Sequence, residues 1–130
     1  MVKTIKASLI LNATPKEIYD TLMDAKKHAK LIGSSAKIEN KVGGEFCIYD
    51  CYIVGTNLKL EKDKKIVQKW TCTDFPEGYY TEVTFELKKK GKNTEIVFTQ
   101  KDVPDKNYES LKKGWEQFYW EPLRKMFNEK

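Results

Sequence analysis

Residues 107–127 read NYESLKKGWEQFYWEPLRKMF, and their large side chains include Trp115, Phe118, Tyr119, Trp120, Met126 and Phe127. Large residues recur at the spacing that places side chains on one face of an α-helix. The members of this first stripe are Leu111, Trp115, Phe118, Pro122 and Met126. A second stripe, offset from the first, contains Trp120, Leu123 and Phe127. Because such an apolar helix needs a broad surface to lie on, the rest of the chain is expected to build that surface.

Pro122 interrupts this predicted helix. A proline there removes one backbone hydrogen bond and clashes with the carbonyl of Phe118, which costs about 3 kcal/mol if nothing compensates. We therefore expect a kink at Pro122, or a last turn that points in a new direction. The kink would either follow the curvature of the surface beneath it or shape a cavity mouth or a partner surface. Gly114 is expected to let the helix backbone approach that surface closely.

The amino-terminal part of the chain predicts one strand followed by two short helices. Apolar and polar residues alternate over residues 3–11, which is typical of a half-buried strand. Thr14-Pro15-Lys16-Glu17 combines a capping residue, a proline at the first helical position and a glutamate three residues after the cap, so a helix starts there. Asp24 is a second predicted cap, and Gly33 ends the second helix.

Residues 36–100 predict strands separated by short turns, with a spacing of about ten residues that is typical of an antiparallel meander. The predicted strands cover residues 36–39, 45–49, 52–60, 65–73, 79–87 and 94–100. Gly55 indicates a bulge or a close backbone approach. The predicted fold is α+β: a curved antiparallel sheet of about six or seven strands wraps a long carboxy-terminal helix, in a single domain over residues 1–130.

The charge of the chain bears on its partners. Lysine and arginine number 24 against 19 aspartate and glutamate residues, and Arg124 is the only arginine. Nucleic-acid readers usually depend on arginine, whose planar fork pairs with bases and phosphates. The lysine-rich surface therefore indicates solubility or attraction to an acidic protein partner, and no nucleic-acid partner is expected.

The amino terminus and the cysteines indicate a protein of the reducing cytoplasm. Residues 1–6 show no apolar stretch of a secretory signal, and no run of about 18 apolar residues could span a membrane. The three cysteines, Cys47, Cys51 and Cys72, lie in strand-like segments. We expect them to be reduced residues of the core or the sheet.

The sequence offers little for catalysis, a metal or a cofactor. His28 is the only histidine and lies in a lysine-rich helix, so we expect it at the surface. The cysteines lack the spacing of metal ligands, and Val42-Gly43-Gly44 lacks the helix and the lysine of a phosphate cradle. No serine shows a nucleophile elbow. We therefore expect no catalytic, cofactor-binding or metal-binding residues.

A series of motifs extends, in order, along nearly the whole chain. They are Val42-Gly43-Gly44-Glu45-Phe46, residues 50–55, Ile66-Val67-Gln68-Lys69-Trp70, Pro76-Glu77-Gly78, Tyr80-Thr81-Glu82-Val83-Thr84, Val103-Pro104 and residues 114–119. As a set they resemble the carboxy-terminal-domain family of the activator of heat-shock-protein-90 ATPase. The resemblance implies the helix-grip fold of the START and Bet v-like (SRPBCC) superfamily, in agreement with the element order. The family often has glycine where Cys51 stands.

The resemblance implies a co-chaperone without an active site. In the family, this domain contacts the nucleotide-binding domains of the heat shock protein 90 dimer and favours their closed, ATPase-competent arrangement. Two-domain members carry a preceding domain that docks on the middle segment of the chaperone. A chain of 130 residues has no room for it, so we expect weaker affinity and stimulation.

Three functions stay open at this point: a module that binds heat shock protein 90, a carrier of a small hydrophobic molecule between sheet and helix, and an enzyme that uses a strand carboxylate in that cavity. The expected cavity lining is Phe46, Trp70, Phe85, Phe98, Trp115 and Phe118. The expected partner contacts are Phe75 and Tyr79 in one loop and, for electrostatic steering, Lys88, Lys89 and Lys90.

Overall fold

A computed structural model describes residues 1–128 and shows one sheet packed against the final helix. The elements are β1 (Val2–Leu11), α1 (Pro15–Met23), α2 (Ala25–Ile32), β2 (Ala36–Ile38), β3 (Glu45–Ile48), β4 (Ile53–Glu61), β5 (Lys65–Cys72), β6 (Thr81–Lys90), β7 (Asn93–Pro104), α3 (Asp105–Trp115), a π-helical turn (Glu116–Trp120) and α4 (Glu121–Asn128). The predicted α+β fold is confirmed, with two short helices after the first strand and a curved sheet of seven strands.

The sheet is antiparallel throughout, in the order β1-β7-β6-β5-β4-β3-β2. Its first strand pairs with its last: Val2 lies opposite Pro104, and Leu11 lies opposite Thr94. All other pairs join strands that follow one another in sequence, as in the predicted meander.

Alternation decides which face of the sheet is buried. In β6, Val83, Phe85 and Leu87 are buried while Glu82 and Lys88 are exposed. Successive side chains of a strand point to opposite faces, so one face of each strand meets the final helix and the other meets solvent.

The short helices begin and end as the sequence predicts. The hydroxyl of Thr14 accepts a hydrogen bond from the Glu17 amide at 3.2 Å, and the Glu17 carboxylate accepts one from the Thr14 amide at 3.0 Å. Asp24 caps α2, and Gly33 ends it with a left-handed φ of 69°. These caps satisfy backbone groups that a helix end leaves without partners, which fixes both helix boundaries.

A π-helical turn accommodates Pro122. The amide of Glu121 donates to the carbonyl of Glu116, five residues earlier, so the helix is wider just before the proline. Pro122 then lies in the first turn of α4, where a missing amide is tolerated. The sequence predicted a kink or a re-aimed last turn; the structure has this local change of helix type, a known compensation in helices.

The predicted buried stripe of the final helix is wrong after Trp115. Phe118 is 42% exposed. The buried side chains are Trp115, Tyr119, Trp120, Leu123 and Phe127. One residue corresponds to about 100° of rotation in an α-helix. The extra residue of the π turn therefore moves the buried face from the first stripe to the second, and both Tyr119 and Trp120 point inward.

The structure contradicts the expectation of a close backbone approach at Gly114 and confirms it at Gly55. A Cβ added at Gly114 would meet no atom within 4 Å, so this glycine makes no close approach to the sheet. A Cβ at Gly55 would collide with the backbone carbonyl of Lys69 and lie 2.5 Å from Phe46 Cζ. The close backbone approach predicted at Gly55 is therefore present.

We expect Gly55→Ala to lower the free energy of unfolding by about 1–3 kcal/mol or more, because the new methyl group overpacks against backbone. Gly114→Ala is the matched control and should raise stability by up to about 1 kcal/mol, since alanine is the better helix former. Urea denaturation followed by circular dichroism measures both changes. Equal effects of the two substitutions would contradict the packing described at Gly55.

Candidate functional site

The space between sheet and helix is filled by aromatic side chains. The ring of Phe98 lies 4.5 Å from that of Trp115 and 5.0 Å from that of Trp120, centroid to centroid. A void of about 20 Å³ remains. That volume suits a single water molecule, whereas ligand pockets usually exceed about 300 Å³.

The predicted lining residues occupy this space themselves. Four of them border the small void: Phe46, Trp70, Phe85 and Trp115. Phe98 is completely buried beside them, and Phe118 lies outside, at the surface. No carboxylate borders the void, so it does not contain the carboxylate base of the enzyme alternative.

His28 lies in the interior, which corrects the expectation of a surface histidine. Its Nδ1 is 2.9 Å from the Leu22 carbonyl oxygen, and its Nε2 is 2.8 Å from the Tyr119 hydroxyl. Because a carbonyl can only accept, Nδ1 carries the proton and Nε2 accepts from Tyr119. Burial lowers the pKa of His28 and raises that of Tyr119, so both are neutral near pH 7. The sequence feature that could have predicted this burial is the position of His28 four residues before Ile32, on the apolar face of α2.

A second buried polar chain fixes Trp115 to the sheet. The indole Nε1 donates to Gln100 Oε1 at 2.8 Å, and Gln100 Nε2 donates to Thr81 Oγ1 at 3.0 Å. Thr81 in turn donates to the Trp70 carbonyl at 2.9 Å. Thr81 and Gln100 lie at inward-facing positions of their strands. Two polar residues at such positions could have predicted a buried hydrogen-bonded chain, and the sequence analysis missed them.

One open apolar cleft lies between the final helix and the β3–β4 hairpin, and we call it the helix–hairpin cleft. Its volume is about 410 Å³. It is lined by Tyr49, Tyr52, Ile53, Trp70, Ser110, Leu111, Gly114, Trp115, Phe118 and Tyr119. The rings of Tyr49 and Phe118 meet edge to face at 5.6 Å. Since Gly114 has no side chain, the helix wall of the cleft stays open at that position.

The hairpin loop that forms one wall of the cleft has an unusual backbone. Tyr49, Asp50 and Cys51 all have positive φ, at 54°, 54° and 67°. The left-handed region disfavours L-residues by about 1–2 kcal/mol each, and glycine suits it best. A glycine at the position of Cys51 would therefore adopt this backbone with less strain.

The expectation of three reduced cysteines is wrong. Cys47 and Cys51 form a disulfide whose Cα atoms are 4.6 Å apart, while Cys72 is free and buried. The sequence argument relied on strand-like flanks and missed that the turn after β3 brings Cys51 back to Cys47.

The structure does not bring the two sets of predicted partner contacts together. The loop with Phe75 and Tyr79 precedes β6, and the lysines Lys88, Lys89 and Lys90 end it. A strand of ten residues separates them by roughly 30 Å.

Within the loop, the Phe75 side chain is buried against Trp70, with ring centroids 5.9 Å apart. Tyr79 is half-buried, and its hydroxyl donates to the Asp102 carbonyl. The exposed part of this loop is Pro76, Glu77 and Gly78. A contact by the loop would therefore begin with these three residues.

Lysines concentrate at the other end of β6, which we call the basic end. A groove there is bordered by six lysines and three acids. The lysines are Lys16, Lys62, Lys64, Lys65, Lys88 and Lys89; the acids are Glu61, Asp63 and Glu86. Lys90 is also exposed and lies 3.7 Å from a Glu95 oxygen. This excess of positive charge suits an acidic partner surface.

Residues 1–128 contain neither a membrane-spanning helix nor a cluster of metal ligands. No helix in this part of the chain is long and apolar enough to cross a membrane. Over the same residues, no group of three or more histidine, cysteine, aspartate or glutamate side chains could hold a metal ion.

Comparison with known proteins identifies relatives of the whole fold. The model of the family described as "Activator of Hsp90 ATPase homolog 1-like protein" matches residues 12–128. A Dictyostelium discoideum protein named activator of 90 kDa heat shock protein ATPase homolog is 30% identical over 97% of this chain and 33% of its own length. The human homolog 1 is 26% identical over 95% of this chain and 36% of its own. The chain thus spans about a third of these curated relatives.

A solved structure is similar over nearly the full length of both chains. It is described as an HSP90 activator from Plasmodium falciparum, and it covers 95% of this chain and 94% of its own at a TM-score of 0.88 and 27% identity.

We expect the stability of the protein to fall as the pH drops below about 6.5, the ordinary pKa of an unfolded histidine. Burial lowers the pKa of His28 in the folded state, so the unfolded state binds more protons in this range and gains stability from acid. The slope should approach about 1.4 kcal/mol per pH unit at most.

Denaturation midpoints measured between about pH 7 and pH 5 test this. The chain has one histidine, so His28→Gln is a matched control that should lose the slope in the upper half of this range. A wild-type stability that stays flat there would contradict a buried neutral imidazole.

Proposed function

Because the chain belongs to the family of activator of Hsp90 ATPase homolog 1-like proteins, we propose that it binds the 90 kDa heat shock protein and stimulates its ATPase. The observation that carries this proposal is the family match over residues 12–128. The relatives in that family, and the Plasmodium falciparum protein of similar structure, are named as activators of this chaperone.

In this proposal the chain acts by binding and has no catalytic step of its own. The filled interior supports this view, because the void of about 20 Å³ admits no substrate. We also propose a cytoplasmic location, where the chaperone would meet both its nucleotide and its activator.

The proposed mechanism is a preference for the closed state of the chaperone. A binding partner shifts a conformational equilibrium only by its difference in affinity for the two states. The basic end and the Phe75–Tyr79 loop lie roughly 30 Å apart along β6. Two contact regions at that distance can touch two chaperone domains at once, and both contacts form only where those domains have come together.

The affinity of these 130 residues by themselves should be modest. The curated relatives are about three times as long, and linked contacts raise overall affinity by effective concentration. The contribution of this chain is then best detected through its dependence on the chaperone's nucleotide state.

A second candidate function is the binding of a small hydrophobic molecule in the helix–hairpin cleft. Its volume of about 410 Å³ falls within the usual range of ligand sites, and its walls are mostly apolar. The cavity that the sequence suggested for such a ligand, between sheet and helix, is too small. The carrier hypothesis therefore depends on this cleft.

Titration of the chaperone with the purified chain tests the first proposal. We expect tighter binding in the presence of a non-hydrolysable ATP analogue than without nucleotide, together with faster ATP hydrolysis. Isothermal calorimetry and a coupled ATPase assay measure the two effects. The proposal fails if neither binding nor stimulation is observed.

The rate of association of the chain with the chaperone, measured at several salt concentrations, tests the basic end. Replacing Lys88, Lys89 and Lys90 by glutamate should slow association and flatten its dependence on salt. The matched control reverses three exposed lysines of α2, which are Lys26, Lys27 and Lys30. If both triple variants associate as fast as the wild type, the basic end has no steering role.

Gly114→Leu tests the carrier hypothesis. The added side chain should fill the helix–hairpin cleft from the helix wall without disturbing the fold, because a Cβ there meets no neighbour. We expect an apolar molecule to copurify with the wild type, as seen by mass spectrometry, and to be absent from this variant. Equal recovery of the molecule from both proteins would place it elsewhere.

A further inference from the structure

We propose that Cys47 and Cys51 are a site of reversible thiol–disulfide exchange that controls the β3–β4 hairpin and, through Tyr49, one wall of the helix–hairpin cleft. The co-substrate is a small dithiol or a disulfide such as the glutathione couple. This site is independent of any binding to the chaperone.

The two cysteines differ from the third in their access to solvent. Cys51 is exposed and Cys47 is half-buried, and both border an open groove on the outer face of the sheet beside Lys69. Cys72 is free and buried. A small thiol can therefore reach the Cys47–Cys51 bond, whereas Cys72 is shielded from it.

The surroundings of the pair favour exchange over a permanent structural role. Exposed disulfides have more oxidising potentials than buried structural ones. In a compartment with a reducing thiol pool, such bonds are usually transient, catalytic or redox-sensing. The disulfide closes a ring across only four positions of the sequence, so it adds less to global stability than a bond that closes a long loop, and its constraint acts on this loop.

The loop conformation depends on the pair. Tyr49, Asp50 and Cys51 all adopt the left-handed backbone region that L-residues disfavour. Two kinds of interaction hold them there: the disulfide, and hydrogen bonds from the Ser35 hydroxyl to Asp50 Oδ1 at 2.9 Å and from the Asp50 amide to that hydroxyl at 2.8 Å. Reduction removes the covalent constraint and leaves the weaker one, so the loop can return towards ordinary backbone angles.

Tyr49 transmits this change to the cleft. Its amide donates to the Ser35 carbonyl at 3.0 Å, and its ring contacts the exposed Phe118 of the π turn edge to face. Its backbone is the first of the three left-handed residues. A new φ at Tyr49 therefore changes the position of a ring that lines the cleft and supports Phe118.

The exchange balances as follows. One thiolate of the reagent attacks the exposed Cys51 sulfur, the Cys47–Cys51 bond breaks, and Cys47 leaves as a thiolate that takes up a proton. The second thiol of a dithiol, or a second glutathione molecule, then attacks the reagent sulfur of the mixed disulfide and releases Cys51 as a thiol. Two electrons and two protons pass from one dithiol or two glutathione molecules to the protein, and the reagent leaves as a disulfide.

Thiol labelling of the 130-residue chain tests the pair itself. The protein is equilibrated in glutathione buffers of different ratio, denatured, labelled with N-ethylmaleimide and weighed by mass spectrometry. We expect one label, on Cys72, at the oxidising end and three labels at the reducing end. Three labels in every buffer, or a disulfide-linked dimer at the oxidising end, would overturn the proposal.

Amide NMR spectra in the same buffers test the link to the cleft. We expect the resonances of Ser110 and Phe118 to shift on reduction, together with those of the hairpin. The Cys72→Ala variant should keep this response, and the double variant Cys47→Ser/Cys51→Ser should lose it. Shifts confined to residues 47–52 would show that the hairpin does not reach the cleft. The wild-type comparison between buffers decides this point even if a variant fails to fold.

Discussion

The packing of the final helix into the sheet depends on the π-helical turn at Glu116–Trp120. Without the additional residue, Trp115 and the apolar side chains after Pro122 would point in different directions. With it, one continuous helix places Trp115 and Trp120 against Phe98 and buries Tyr119 beside Trp115. The same turn removes the conflict between Pro122 and the preceding carbonyls, so a single distortion resolves two problems of the sequence.

Because the interior is tightly packed, a partner or ligand can bind only at the surface. A sheet that holds a helix can in principle enclose a ligand, but here three tryptophans and three phenylalanines leave space for about one water molecule. The features that can recognise a partner all lie outside: the basic end, the exposed tip of the β5–β6 loop and the helix–hairpin cleft. Membership of a family named for activating another protein's ATPase agrees with a molecule whose interior is filled by its own side chains.

Much of the fold could be predicted because local chemistry decided it. The Thr14–Glu17 capping box, the alternation of β6 and the close approach at Gly55 all depend on neighbours in sequence or on one adjacent strand. The errors came from interactions between distant segments. His28 is buried and hydrogen-bonded to Tyr119, 91 positions away in the sequence. Helical spacing predicted Phe118 on the inner face of the helix, but the π turn places it at the surface. Trp70, Trp115 and Phe118, which were predicted to line the cavity between sheet and helix, border the helix–hairpin cleft. The places of Tyr49 and of the Cys47–Cys51 bond depend on the turn geometry, which the sequence did not show.

The pairing of β1 with β7 has a consequence for how the protein is made. Val2 lies opposite Pro104, so β1 has no partner strand until about a hundred more residues have been synthesised. During this interval its apolar residues, Ile5, Leu9 and Leu11, lack the strand β7 and the helices α3 and α4 that contact β1 in the folded domain. The helix that completes the core follows β7 in the chain. β1 can therefore pair only after most of the sheet has been synthesised, and until then the nascent chain presents an unpaired strand to any chaperone near the exit tunnel.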